Sequence, residues 1–204
     1  MLARMTADWD ARYAETGWAF GTEPNDFLHD EAHALPARGR VLCLAEGEGR
    51  NAVWLAEQGH RVTGVDSAGV GLAKAHALAA QRGVAIETVV ADLATYDLGE
   101  ATWDAIVSIF AHVPLDVRRS VHAAIPRALR PGGVLLLEAY RPQQLQQGTG
   151  GPPDDARMMD LARLRDELGA LEWLLAREVT REVVEGRFHT GLAHTVQLIA
   201  RRRD

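Results

Sequence analysis

A short acidic stretch with two glycines is the part of the sequence whose residue types and spacing point most directly to ligand chemistry. It reads Ala45-Glu46-Gly47-Glu48-Gly49-Arg50-Asn51 and follows a run of apolar residues. Between a strand and a helix, such glycines let backbone N–H groups and the positive helix end approach a ligand closely. The alternative interpretation is that Gly47 and Gly49 only tighten a turn.

Two aspartates follow at the ends of the next two apolar runs. Asp66 stands 19 residues after Gly47, where a carboxylate can accept hydrogen bonds from both hydroxyls of a ribose. Asp92 and Leu93 follow the third run and suit an adenine amino group and ring face. We expect the turn, Asp66, its neighbour Ser67 and Asp92 to converge on one crevice, because the carboxyl ends of parallel strands share a sheet edge. Each aspartate also suits a helix cap, which is the alternative interpretation.

The composition of the turn distinguishes between two nucleotide cofactors. A dinucleotide site uses the pattern G-x-G-x-x-G so that the pyrophosphate rests on the helix N-terminus, but the three residues after Gly49 contain no glycine. Glu46 and Glu48 would also repel a pyrophosphate. S-adenosylmethionine carries a sulfonium and an amino-acid tail instead, so the turn favours this cofactor over NAD.

Residues near the ends of the later strands are candidates for acid–base chemistry or for contact with an acceptor. His112 lies in the segment 108–114 after the fourth strand, and Tyr140 and Arg141 follow the fifth. Arg141 could lower the pKa of a thiol or hold an anionic substrate, and His189 stands near the last hairpin. The alternatives are a His112 bonded to backbone, a solvated Arg141 and a His189 that is an ordinary hairpin residue.

Alternating strands and helices must position these residues. Short apolar runs rich in β-branched residues alternate with segments whose apolar residues recur three and four apart, which predicts βαβ units and a parallel sheet. The predicted strands are Val41–Ala45, Arg61–Val65, Ile86–Val90, Trp103–Ile109 and Gly133–Ala139. The predicted crossover helices are Asn51–Gln58, Gly71–Gln81 and Val117–Leu129. The fold class is therefore α/β.

The sequence predicts a single domain over 1–204, built around a cofactor-binding βαβ core at 41–139. A helical cover precedes the core at 1–36, and a closing antiparallel hairpin follows at 171–201.

The segment 143–155, rich in Gln, Gly and Pro, is either a lid or a plain loop, and a helix is predicted over Asp155–Leu168. Within the cover, Trp18 and Phe20 are the better candidates for a lid over the ligand. Trp9 and Tyr13 lie four apart and suit a core cap equally well.

Composition excludes several classes of function. The net charge of −6 offers no field for a phosphate backbone, so we expect no nucleic-acid partner. No apolar run approaches the roughly 20 residues that span a bilayer. The single Cys43 and the lack of a signal-peptide pattern predict a cytoplasmic protein. The histidines have no acidic or cysteine partners at ligand spacing, so no metal is expected.

Five ordered elements together resemble the class I S-adenosylmethionine-dependent methyltransferases. They are Val41–Asn51, Val65-Asp66, Ala91-Asp92-Leu93, Trp103-Asp104 and Leu129-Arg130-Pro131-Gly132-Gly133. The resemblance implies a Rossmann-like, seven-stranded, mostly parallel sheet with an antiparallel C-terminal hairpin. It also implies S-adenosylmethionine as cofactor, with Ser108 among the residues of its site.

The N-terminal residues carry a narrower resemblance. Trp9-Asp10-x-Arg12-Tyr13 and Phe20-Gly21-x-x-Pro24-Asn25-x-Phe27-Leu28 are similar to the cover of the small tellurite-resistance and thiol (thiopurine-type) methyltransferases. This similarity implies that Arg12 and Asn25 belong to the substrate or lid region. It also favours a small-molecule methyl acceptor, such as a thiol or a metalloid oxyanion, in a monomer or homodimer.

The sequence departs from the class I pattern at Cys43, where an acid is usual, and at Ala45, where the first glycine is usual. Glu46 or backbone carbonyls could therefore hold the cofactor's amino group, and Arg50 or Arg12 its carboxylate. Two rival functions stay open, an NAD-dependent oxidoreductase and a non-catalytic cofactor-binding protein of the same fold.

Overall fold

A seven-stranded sheet lies at the centre of the computed structural model, which describes residues 9–203. The strands are β1 (Arg40–Leu44), β2 (Arg61–Asp66), β3 (Glu87–Val90), β4 (Trp103–Ile109), β5 (Leu129–Tyr140), β6 (Glu172–Glu185) and β7 (His189–Arg201). Their order is β3-β2-β1-β4-β5-β7-β6. The first five are parallel, and β7 pairs antiparallel with both β5 and β6. The predicted α/β fold with an antiparallel C-terminal hairpin is confirmed.

Six α-helices are found among residues 9–203. They are α1 (Trp9–Tyr13), α2 (Asp26–Glu31), α3 (Arg50–Glu57), α4 (Gly69–Arg82), α5 (Leu115–Ala128) and α6 (Leu161–Leu168). The first eight residues of the predicted cover lie outside the described part of the chain. None of the described helices is long and apolar enough to cross a membrane.

Alternating strand residues build one apolar cluster on each face of the sheet. Leu42 and Leu44 of β1 belong to a cluster that includes residues of α5 and α6. Val41 and Cys43 belong to the other, which includes residues of α2, α3 and α4. Because both faces are covered, the central strands are mostly apolar, and ligands can approach only at the strand ends.

One helix and one strand start more than two residues away from their predicted positions. The helix predicted over Asp155–Leu168 is divided into a 3₁₀ turn at Asp155–Arg157 and α6. Asp160 caps α6 by accepting a hydrogen bond from the Arg163 N–H, and this cap fixes the later start. Strand β5 begins at Leu129, four residues before the predicted start, because the chain enters the sheet directly after α5.

Candidate functional site

A cavity of about 380 Å³ lies at the carboxyl edge of the parallel strands. Its floor is formed by residues that follow β1, β2, β3 and β4, among them Ala45, Asp66, Asp92 and Phe110. The N-terminal cover, the segment 150–153 and the β6–β7 turn contribute the other walls. The turn and the two aspartates therefore meet at one crevice.

The two glycines of the β1 turn do not line this cavity. Gly47 has φ of +61°, and a Cβ atom there would lie 2.5 Å from Tyr13 Oη. At Gly49, with φ of +90°, a Cβ atom would lie 2.4 Å from the Cβ of Ala75. The glycines thus allow the cover and α4 to pack against the turn, and the cavity is lined by Ala45, Glu46, Glu48, Arg50 and Asn51.

Asp66 lines the cavity at the end of β2 and is fixed by backbone donors. Its Oδ2 accepts a hydrogen bond from the Gly47 N–H and its Oδ1 from the Ala68 N–H, both at 2.8 Å. Burial raises the pKa of this carboxyl, although the two N–H groups oppose the shift. Each oxygen keeps a further lone pair, so the carboxylate can still accept hydroxyl groups of a ligand. The exposed Ser67 lines the cavity beside it.

The turn after β3 provides a polar and an apolar contact. Asp92 is exposed, and its Oδ1 accepts a hydrogen bond from the Ala94 N–H at 2.8 Å. Leu93 is buried, and both side chains line the cavity. The pair therefore offers an acceptor for an amino group and a flat surface for a ring.

The charges of the β1 turn are mostly compensated. Glu48 accepts hydrogen bonds from the Ala19 N–H at 2.7 Å and from Lys74 Nζ at 2.9 Å. The repulsion that we expected between Glu48 and a pyrophosphate is therefore weakened, since Lys74 balances its charge. Arg50 donates from Nη2 to Glu185 Oε2 at 2.6 Å.

His112 lines the cavity, but backbone groups occupy both of its ring nitrogens. Its Nε2 accepts from the Tyr140 N–H at 3.1 Å, so Nδ1 carries the proton and donates to the Arg157 carbonyl at 3.1 Å. Burial lowers the pKa of His112 to about 4. These bonds favour the alternative of a His112 bonded to backbone over the expected acid–base role, because both ring nitrogens are already occupied.

Three other predicted site residues do not line the cavity. Tyr140 is fully buried behind the wall, with its ring 4.5 Å from that of Phe110 between centroids. Arg141 lies 3.4 Å from Glu178 in an ion pair. Ser108 is buried within β4. The strand directions place these side chains behind or beside the wall, so the predicted roles of Tyr140, Arg141 and Ser108 stay predictions.

His189, like His112, was predicted on the acceptor side and lines the cavity. Its ring lies 4.5 Å from that of Phe20 and 4.8 Å from that of Phe110. Nδ1 is 3.8 Å from Glu185 Oε2, and within residues 9–203 it has no hydrogen-bond partner. Burial lowers the pKa of His189, so the neutral form is favoured.

The cover contributes a different set of residues from the one expected. Arg12 and Phe20 line the cavity, and Trp9 and Tyr13 line it as well. The Arg12 guanidinium lies 4.9 Å from the Trp9 ring and 4.9 Å from the Phe188 ring.

Trp18 and Asn25, which were expected in the substrate or lid region, are not part of the cavity wall. Trp18 packs against the α3–α4 side of the core. Asn25 is fully buried and caps α2 by accepting from the Leu28 N–H at 3.0 Å. Within the segment 143–155, the residues from Gly150 to Pro153 line the cavity.

A buried polar network beneath the cover was not expected from the sequence. Asn25 Nδ2 donates to Glu138 Oε2 at 2.7 Å and to Glu185 Oε1 at 2.8 Å. Arg181 pairs with the same two carboxylates at 2.8 and 3.3 Å. The one available signal was the acid Glu138 within an apolar strand. Among the described residues, no group of three or more His, Cys, Asp or Glu could hold a metal ion.

Comparisons with known proteins agree with this geometry. Residues 41–133 match the family model described as a methyltransferase domain. The 2-heptyl-1-hydroxyquinolin-4(1H)-one methyltransferase of Mycobacteroides abscessus is 29% identical over 142 residues, which cover 68% of this chain and 62% of that enzyme. The chain therefore spans less than two thirds of this relative's length.

Two solved structures share the fold. One was determined in work on the conversion of a disulfide bond into a thioacetal group during echinomycin biosynthesis. It has a TM-score of 0.75 and 24% sequence identity, and the match covers 96% of this chain and 90% of that one. The other is TehB from Haemophilus influenzae, with a TM-score of 0.73 and 19% identity, covering 96% and 66%.

Proposed function

We propose that the chain is a class I S-adenosylmethionine-dependent methyltransferase and that it methylates a small-molecule acceptor within the cavity at the sheet edge. The observation that carries this proposal is the convergence of Asp66, Asp92 and Leu93 with the β1 turn. A non-catalytic binding protein would need the same cofactor contacts but no space for an acceptor. The aromatic part of the cavity provides that space.

The nucleoside end of the cofactor would contact the ends of β2 and β3. Asp66 would accept the ribose hydroxyls, because its carboxylate is already oriented by two backbone N–H groups. Asp92 would accept the adenine amino group, and Leu93 would pack against the ring. Bound S-adenosylmethionine supplies an electrophilic methyl group on a positively charged sulfur.

The acceptor would lie against the aromatic side chains of the cover and the β6–β7 turn. Phe20, Phe110, Phe188 and His189 line this part of the cavity, and an acceptor bound among their rings would displace water. Attack by an anionic acceptor on a sulfonium removes charge in the transition state, and a dry site favours such a reaction. A thiolate therefore fits this site, and Arg12 could attract the anion.

Two further acceptor classes deserve direct comparison. A metalloid oxyanion is small and strongly hydrated, so it would depend mainly on Arg12 and Arg157. The relative from Mycobacteroides abscessus is named for a hydroxyquinolinone, a flat ring with a hydroxyl group. The rings of Phe20, Phe110 and Phe188 offer surfaces for such a molecule.

Transfer of a labelled methyl group from S-adenosylmethionine would test the proposal with three acceptors: thiophenol, tellurite and 2-heptyl-1-hydroxyquinolin-4(1H)-one. We expect transfer to thiophenol or the hydroxyquinolinone to exceed transfer to tellurite. His189→Gln should lower transfer at least tenfold, because the neutral His189 ring would take the proton of the thiol or hydroxyl as the methyl group moves to the acceptor and S-adenosylhomocysteine leaves. His60→Gln should leave it unchanged, because His60 precedes β2 and does not line the cavity. Binding of the cofactor without transfer to any small acceptor would contradict the proposed function.

A further inference from the structure

Two residues of opposite charge in the β1 turn line the cavity. Glu46 and Arg50 are 9% and 7% exposed, and both line the cavity. Charged side chains are rarely buried to this extent without a counter-ion or a ligand. Glu185 supplies a counter-ion for Arg50, whereas Glu46 accepts from a backbone N–H, so the burial of the Glu46 carboxyl needs an explanation beyond the shape of the turn.

The Glu46 side chain turns back toward the sheet, where a glycine leaves room for it. Gly64 of β2 pairs in register with Cys43 of β1, and a Cβ atom at Gly64 would lie 3.1 Å from Glu46 Cγ. The Glu46 carboxyl interacts with the Cys43 thiol and accepts a hydrogen bond from the Ala52 N–H at 2.8 Å. The carboxylate is thus held between β1, β2 and the start of α3.

Arg50 is held on the other side by the closing hairpin. Its Nη2 donates to Glu185, and Glu185 is itself bonded to Asn25 and Arg181. Arg50 Nη1 is buried and has no hydrogen-bond partner within residues 9–203. A buried guanidinium nitrogen left without an acceptor is costly, and a ligand carboxylate would satisfy it.

We propose that Glu46 and Arg50 bind the α-amino-acid end of the cofactor, Glu46 its ammonium group and Arg50 its carboxylate, with Glu185 as the residue that positions Arg50. The inference rests on the proposed function, because it assumes that S-adenosylmethionine occupies the cavity. An α-amino acid carries an ammonium and a carboxylate group on the same carbon atom. The cavity wall contains the complementary charges, Glu46 and Arg50. The nucleoside then lies toward Asp66 and Asp92.

The proposal predicts that binding is linked to a proton. Burial raises the pKa of Glu46 to about 7, against the opposing effects of the Ala52 N–H and the Arg50 charge. The other groups that interact with it are Asp66, the Cys43 thiol and the Tyr13 hydroxyl. An ammonium ligand favours the ionised carboxylate, so binding releases a proton near neutral pH and strengthens between about pH 6 and pH 8.

The test compares two ligands by isothermal titration. S-adenosylhomocysteine carries the amino-acid end, and 5′-methylthioadenosine has the nucleoside and the sulfur without it. Glu46→Gln and Arg50→Lys should each weaken S-adenosylhomocysteine at least tenfold and leave 5′-methylthioadenosine within about threefold. Glu46→Gln should also abolish the proton release. The Cys43→Asp, Glu46→Gln double variant places an acid at position 43, beside the site of the Glu46 carboxyl. We expect it to restore part of the affinity for S-adenosylhomocysteine.

The two ligands separate failure of this inference from failure of the proposed function. If the wild-type protein binds neither ligand, the proposed function fails. If it binds both and the variants leave the ratio of the two affinities unchanged, only the assignment of Glu46 and Arg50 to the amino-acid end is contradicted. Equal weakening of both ligands would also contradict it, since Glu46 would then merely support the turn. Binding of 5′-methylthioadenosine shows in each variant that the cavity is folded.

Discussion

Asn25 Nδ2 lies 2.7 Å from Glu138 Oε2, which joins the turn before α2 to the interior of β5. The two residues are 113 positions apart in the chain, and both are fully buried. The same amide also bonds Glu185 at the end of β6. The N-terminal cover is therefore attached to the sheet through polar groups, and this attachment holds one wall of the cavity in place.

Asn25→Ala should destabilise the protein by about 3 kcal/mol, because it removes a helix cap and leaves two buried carboxylates with fewer donors. Urea denaturation measures this change. Asp30→Ala on the same helix is the matched control, since Asp30 is exposed and should change stability by less than about 0.5 kcal/mol. Equal effects of the two substitutions would show that the network adds little.

Ala45→Gly should stabilise the fold by about 0.5–1 kcal/mol. Ala45 has φ of +50°, a left-handed conformation that strains a residue with a Cβ atom. Ala77→Gly is the control, because this exposed position lies within α4 and should lose about 1 kcal/mol. Thermal unfolding should show a higher melting temperature for Ala45→Gly and a lower one for Ala77→Gly. A loss of stability in both variants would contradict the claim that Ala45 is strained.

His112 should make stability depend on pH. Its folded pKa is about 4 against an ordinary value of 6.5, so the neutral form stabilises the fold. This contribution is complete above pH 6.5 and is lost as the pH falls toward 4, by at most about 1.4 kcal/mol per pH unit. Glu46, with its raised pKa, changes stability in the opposite direction, so the difference between wild type and His112→Gln isolates the histidine.

The His112→Gln variant should not show this loss of unfolding free energy between pH 6.5 and 4, because glutamine can bond the same two backbone groups without becoming charged. Urea denaturation at a series of pH values measures it. His29→Gln is the control, as His29 is exposed. A His112→Gln curve parallel to wild type across this range would contradict the assignment.

Strand ends were predictable from sequence, whereas the directions of some side chains were not. Asp66 and Asp92 follow β-branched runs and come to the carboxyl edge of the sheet whatever the packing around them. Ser108 and Tyr140 lie in central strands that are apolar on both faces, so no alternation indicates which face is which. Both side chains in fact lie outside the cavity wall.

The polar network was beyond sequence analysis for a different reason. Asn25, Glu138 and Glu185 come from three distant segments, and nothing local marks them as partners. Likewise, the groups that occupy the His112 nitrogens belong to Tyr140 and Arg157, which only the folded chain brings near. Contacts of this kind depend on how the cover and the hairpin close on the core.

Binding of S-adenosylhomocysteine to wild type and to Asp66→Asn, measured by isothermal titration, tests the central claim most directly. We expect one site per chain in the wild type and at least tenfold weaker binding in Asp66→Asn, which loses a charged acceptor for the ribose. Asp97→Asn should bind as wild type does, because Asp97 is exposed and does not line the cavity. Binding of NAD without binding of S-adenosylhomocysteine, or an Asp66→Asn variant with wild-type affinity, would contradict the account.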